Sequence, residues 1–199
     1  AELQRMLSLP ESPDTPVIAI VSRLADHKGL DLVALAADDI LEGSVQLIVL
    51  GKGEYYYENF FYHLAQRYPN KMSALLVYNK DLSKKVYAGA DMFLMPSKTE
   101  PCGLSQLIAL RYGTLPIVRE TGGLKDSITP YNKFTGEGLG FTFRQYNHID
   151  MLGAVDRAIE AYRQPDIWKG LMKNAMSAHF TWEKSAGKYI ELYERLSER

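Results

Sequence analysis

Six short apolar runs, rich in Val, Ile and Leu, punctuate the first 143 residues: PVIAIV (16–21), SVQLIVL (44–50), SALLVY (73–78), DMFLMP (91–96), TLPIV (114–118) and GLGFTF (138–143). They are close to continuously apolar, which marks strands covered on both faces; strict alternation would mark a sheet wet on one side. Between the early runs lie segments with helical spacing, such as Tyr57, Phe60, Phe61, Leu64 and Tyr68. Strands and amphipathic helices in alternation predict an α/β fold: a doubly wound, mainly parallel, six-stranded sheet in Rossmann-like order.

After Phe143 the pattern turns wholly helical. Met151, Val155, Ile159 and Tyr162 share one face, and Trp182, Ala186, Tyr189, Tyr193 and Leu196 share another, with Asn147 and Thr181 as expected N-caps. The first 16 residues carry Pro10, Pro13 and Pro16 and read as a linker, with residues 17–199 as one domain that includes the C-terminal helices.

Composition narrows the function more than the fold. Of 199 residues 24% are charged and the net charge is −1, so there is no basic excess of the kind that holds nucleic acid. Apolar runs are strand-sized and the N-terminal stretch lacks a signal-peptide pattern, so the expectation is a cytoplasmic protein with no membrane partner. The single cysteine, Cys102, cannot form an internal disulfide, and His27, His63, His148 and His179 lack ligand spacing, so neither a metal nor another cofactor is expected.

In open α/β sheets a ligand sits beyond the carboxyl ends of the strands, near the reversal of strand order. The first strand is followed by SRLADHKGLDL, which puts Arg23 at its carboxyl end and Lys28 just before the next helix. No G-x-G-x-x-G or P-loop pattern is present, which argues against a dinucleotide or P-loop site, and GKGE (51–54) reads as a plain turn. Two cations flanking a strand end suit a diphosphate, Arg by forking onto two oxygens and Lys as a point charge.

The run TEPCGLSQLIALRYG (99–113) predicts a second anion site. Pro101 ends the strand, Gly103 leaves the N–H groups of Leu104 and Ser105 bare, and a helix N-terminus carries partial positive charge. Glu100 lies just outside it, either complementing the helix or accepting hydrogen bonds from sugar hydroxyls on whatever the diphosphate carries. Cys102, near a helix start, is weighed as a nucleophile, but a small buried residue packed under the loop is the preferred reading. Thr121, Gly122 and Gly123 predict another loop where backbone approaches a ligand, with Asp126 in the first turn of a short helix, and Tyr78, at the end of the third strand, is a candidate to stack on a base.

Three stretches, SRLADHKGLDL, YAGADMFLMPSKTEPCGLSQLIALRYGTLPIVRETGGLKDSI and TWEKSAGKYIELYERL, resemble the C-terminal half of bacterial glycogen and starch synthases, retaining glucosyltransferases of two Rossmann-like domains (the GT-B architecture). The resemblance covers nearly the whole chain. It implies that Arg23, Lys28 and the Leu104 and Ser105 amides hold the diphosphate of ADP-glucose or ADP, that Tyr78 packs on adenine, that Glu100 faces the transferred glucose, and that Gly122 and Gly123 match a second glycine loop. Many related transferases place a second glutamate eight residues after the first; here that position is Ile108, as suits the synthases. The family's N-terminal domain, which supplies the groove for the α-1,4-glucan acceptor, has no counterpart in these residues, so this chain alone is expected to bind nucleotide and transfer little sugar. The final helix would pack across the domain junction. Two other readings stand beside this one: a related retaining transferase with another donor, and a noncatalytic nucleotide- or glucan-binding module.

Overall fold

The computed structural model describes residues 1–197. Six strands, β1 (Val17–Val21), β2 (Gln46–Leu50), β3 (Met72–Leu75), β4 (Met92–Met95), β5 (Leu115–Arg119) and β6 (Phe141–Phe143), pair in parallel in the order β3-β2-β1-β4-β5-β6. The order reverses between β1 and β4. All six expected strands are present, each within a few residues of its apolar run.

The period of two along each strand sorts the core into two layers. Ile18, Ile20, Leu47, Val49, Met92 and Leu94 pack on one face, against helices α2 (Leu30–Glu42), α3 (Tyr55–Arg67) and α7 (His148–Tyr162). Ala19, Ile48, Leu50 and Phe93 point the other way, toward α4 (Lys80–Gly89) and α5 (Ser105–Tyr112). These side chains are essentially fully buried, each contributing about 1.5–3 kcal/mol for the larger ones. Pro116 is tolerated inside β5 because β6 begins pairing only opposite Ile117, so the missing N–H leaves no rung unmade.

Residues 1–16 lie against the domain. A short helix α1 (Glu2–Met6) and the chain after it bury Leu3 and Leu9 beside Val86 and Tyr87, and buried Gln4 donates to Gln46 Oε1 at 3.0 Å. Asn147 caps α7 as expected, its side chain accepting from the Asp150 amide at 2.8 Å. A further helix unpicked by the periodicity, α8 (Pro165–Ser177), buries Trp168, Leu171 and Ala175. The last helix, α9 (Trp182–Ser197), starts directly after Thr181 and buries none of its residues; Trp182, Tyr189, Tyr193 and Leu196 are all exposed.

Two expectations need correcting here. β3 stops at Leu75, so Tyr78 sits in the loop that follows it, 87% exposed. The reason is local: Asn79 accepts from the Asp81 and Leu82 amides at 3.1 and 2.9 Å and starts α4, drawing the chain out of the sheet early. Asp126 is the fifth residue of α6 (Gly122–Ser127) and so lies past its first turn, because the helix starts as early as Gly122.

Candidate functional site

The loops after β1 and β4 are built as one unit at the reversal of strand order. Leu24, fully buried, pins the first loop by accepting from the Glu54 amide at 2.7 Å and donating to Lys52 O at 3.1 Å. A single turn of 3-10 helix (Asp26–Lys28) follows and ends at Gly29, whose φ is +72°. A Cβ there would drive into the Pro96 carbonyl, so only glycine lets this loop lie on the β4 loop. The Lys98 amide closes the contact by donating to His27 O at 2.9 Å.

That apposition delivers two charges to one place. Lys28 Nζ donates to Glu100 Oε2 at 2.7 Å, and Ser97 Oγ reaches the same oxygen at 3.3 Å. The Glu100 side chain is only 11% exposed, so the pair is less screened than a surface ion pair. Both residues line a cavity of about 470 Å³ that also receives Arg23, Gly103, Leu104 and Ser105. The Arg23 side chain is exposed and has no hydrogen-bond or ion-pair partner among the described residues. The cavity thus offers two cations, a helix N-terminus with unpaired amides and one carboxylate, a set that fits a diphosphate bearing a hydroxyl-rich group.

A second crevice of about 410 Å³ opens on the other side of Arg23, sharing Val21, Ser22 and Arg23 with the first. Val77, Tyr78, Asn79 and Lys80 form its far wall. Its character is more apolar, as an aromatic base requires, while the first is polar and charged.

The rest of the expected set divides. Gly122 and Gly123 pack against the β4 loop, where Cβ atoms would strike the carbonyl oxygens of Glu100 and Cys102; the Gly123 amide donates to Glu100 O at 3.1 Å and Pro101 O at 3.2 Å. These glycines hold the loop that carries Glu100. Thr121, Gly122 and Gly123 line neither cavity. Cys102 is exposed, correcting the reading of a small buried residue; the space beneath the loop is filled by the Gln106 side chain, whose Nε2 donates to Cys102 O, Gly103 O and Ser127 Oγ at 3.0–3.2 Å.

Several residues around the site escaped the sequence reading. Ser97 is 1% exposed, Gln106 is fully buried, and Arg119, at the end of β5, donates from Nη1 to Ser97 O at 3.3 Å and Lys98 O at 2.8 Å. Tyr146 donates to Asp31 Oδ1 at 2.5 Å; burial first, and that bond second, hold its hydroxyl protonated far above the ordinary phenol range. Tyr57 is pushed up to about 12, chiefly by burial and then by neighbouring Asp26. The only sequence signal for these residues was position at a strand end, which Arg119 has.

Among the described residues no group of three or more His, Cys, Asp or Glu side chains could hold a metal ion, and no helix is long and apolar enough to cross a membrane.

Comparison with known proteins accords with this geometry. The chain is 53% identical over 194 residues to proteins named glycogen synthase from Desulforamulus reducens and from Clostridium perfringens, an overlap covering 98% of this chain and 40% of each relative. The chain thus spans about two fifths of the length of these curated relatives. Among solved structures, the catalytic domain of Starch Synthase IV from Arabidopsis thaliana, bound to ADP and acarbose, superimposes with a TM-score of 0.88 at 34% identity, over all of this chain and 42% of that one. A sucrose-phosphate synthase from Thermosynechococcus elongatus shares the fold alone, at 22% identity over 99% of this chain and 49% of that one, with a TM-score of 0.69. Residues 6–170 match the sequence pattern of one family, and the chain belongs to it: the glycosyl transferases group 1.

Proposed function

We propose that this chain is the donor-binding part of a glycogen or starch synthase, holding ADP-glucose for transfer of glucose, with retention, to the nonreducing end of an α-1,4-glucan. The observation that carries the reading is the pair of crevices joined at Arg23, one charged and one apolar, at the reversal of strand order. In this assignment Arg23, Lys28 and the Leu104 and Ser105 amides take the diphosphate, and Tyr78 packs on adenine across the shared wall. Glu100, already in contact with Lys28, accepts from glucose hydroxyls. Gly103 keeps the helix N-terminus uncovered, while Cys102, Thr121, Gly122 and Gly123 serve through the backbone of the loop.

The chemistry asked of these residues is electrostatic. As the glycosidic bond to the diphosphate breaks, negative charge grows on the leaving phosphate oxygen, and preorganised cations and amides stabilise it more than they stabilise the ground state. Lys28 sits between that charge and Glu100, so it both neutralises the leaving group and orients the carboxylate. The acceptor groove belongs to the part of the relatives that this chain does not span, and the whole enzyme acts in the cytoplasm. The test is calorimetric titration of ADP, ADP-glucose and UDP-glucose, without metal, into this chain. Binding of ADP and ADP-glucose, weakened about tenfold or more in Arg23→Ala and in Lys28→Ala, is the expected result; absence of binding by every nucleotide diphosphate would sink the proposal.

A further inference from the structure

The two halves of the Lys28–Glu100 pair come from separate segments, and one aromatic ring spans both. Tyr146, in the loop between β6 and α7, donates its hydroxyl to Asp31 in the first turn of α2, three residues beyond Lys28. The same ring faces two cations of the other segment and its support: Lys98 Nζ and the Arg119 guanidinium each lie 5.3 Å from its centroid. Arg119 in turn grips the carbonyls of Ser97 and Lys98, at the head of the turn that ends in Glu100, while Lys98 pairs with Asp26 at 3.0 Å on the loop that carries Lys28.

The Arg119 guanidinium is sparsely satisfied for a group so placed. Its Nε is buried with no hydrogen-bond partner among the described residues, leaving two carbonyl bonds from Nη1 and the face of Tyr146 to hold its plane. A lysine would reach the carbonyls but offer no flat face to the ring. Such an arrangement costs stability without the ring and gains direction with it.

We propose that Arg119 and Tyr146 are positioning residues that set the spacing of Glu100 and Lys28, and thereby fix the glucose end of the donor site. The proposal rests on the donor-site reading above for its consequence, but not for its geometry. The ring holds the Ser97–Lys98 backbone through Arg119, its hydroxyl ties that assembly to Asp31 at the start of α2, and neither residue lines the two crevices.

The test uses this chain unaltered and as Tyr146→Leu, Tyr146→Phe and Arg119→Lys. Amide hydrogen exchange is read by mass spectrometry over residues 97–104 and over the strands, beside titration with ADP-glucose. In Tyr146→Leu and Arg119→Lys the 97–104 segment should exchange about tenfold faster with strand protection unchanged, and ADP-glucose should bind about tenfold more weakly. Tyr146→Phe, which keeps the ring on Arg119 and loses the hydroxyl tie to Asp31, should restore exchange of 97–104 to within about threefold of the unaltered chain, while ADP-glucose binding stays weakened. The proposal is overturned if the loop exchanges normally in the Leu and Lys variants, if in Phe the loop exchanges as fast as in Leu or ADP-glucose binds as well as to the unaltered chain, or if protection is lost equally across the sheet. An unaltered chain that binds no ADP-glucose would instead sink the donor-site reading, and the exchange rates with the Phe rescue would still decide the positioning role.

Discussion

The two ends of the sheet use polar side chains in opposite ways. At the amino ends of the strands they are consumed by stitching: Asp91 Oδ2 accepts from the Val17 amide at 2.8 Å, Gln4 and Gln46 bond one another, and Thr114 Oγ1 donates to Ala90 O at 3.1 Å. At the carboxyl ends the Arg23 side chain has no partner among the described residues, the amides at the start of α5 open on a cavity, and Lys28 and Glu100 meet only because two loops are pressed together. A fold with no task at that end would satisfy or discard those charges. Their retention there, while the polar groups at the opposite end are spent on hydrogen bonds, is what marks the carboxyl end as the candidate site.

The comparison is broken most severely where the two loops touch. Gly29→Ala combines a φ of +72° with a Cβ that overlaps the Pro96 carbonyl, so urea unfolding should show a loss of about 3 kcal/mol or more. A loss below about 1 kcal/mol would mean that the loops part easily and that the Lys28–Glu100 contact is incidental.

Arg23→Ala should do the reverse. The side chain is exposed and unpartnered among the described residues, so stability should stay within about 0.5 kcal/mol while ADP binding weakens by about 2 kcal/mol. Calorimetry and thermal unfolding on the same sample separate the two, and equal damage to both would erase the contrast between the ends of the sheet.

How much of this contrast the sequence disclosed depends on what each residue's role rests on. The strands were legible because buried parallel strands need apolar side chains on both faces, and Arg23, Lys28, Glu100 and the start of α5 were legible because the topology fixes which loops meet. What escaped was set by contacts between distant segments. Gly122 and Gly123 look like a ligand loop in sequence, yet serve the loop beside them; Cys102 was displaced from the interior by Gln106, four residues on. Tyr146 and Asp31 are 115 residues apart, and no periodicity links them. Helix α8 and the docking of Leu3 and Leu9 went unread for the same reason, since they only complete a surface made by others.

At the amino end, Asp91 gives a pH signature of its own. Burial is the main cause that raises its carboxyl from 3.8 to about 6, against the opposing bond from Val17. Between those values the folded protein holds a proton that the unfolded chain releases, so this group's contribution to stability falls as pH rises. Asp91→Asn keeps an acceptor for Val17 and removes the charge. Its stability relative to the unaltered chain should be near zero at pH 3.5 and reach on the order of 2 kcal/mol above pH 6. Urea unfolding at several pH values checks this, and a difference independent of pH would show that Asp91 is ionised in the fold at little cost.

The smallest effect belongs to a residue that the structure leaves open. Tyr78 is 87% exposed on the wall of the apolar crevice, anchored by the Asn79 cap and not by its own packing. Its removal should leave the fold unchanged, and a stacked base would lose only about 1 kcal/mol, or roughly fivefold in ADP affinity. The informative comparison is therefore between ligands: Tyr78→Ala should weaken ADP but not inorganic pyrophosphate, whereas Arg23→Ala should weaken both. If Tyr78→Ala leaves ADP binding untouched, the second crevice does not hold the base, and only the charged cavity remains as a nucleotide contact. Equal weakening of pyrophosphate would mean that Tyr78 acts by shaping the Arg23 loop across the wall the two crevices share.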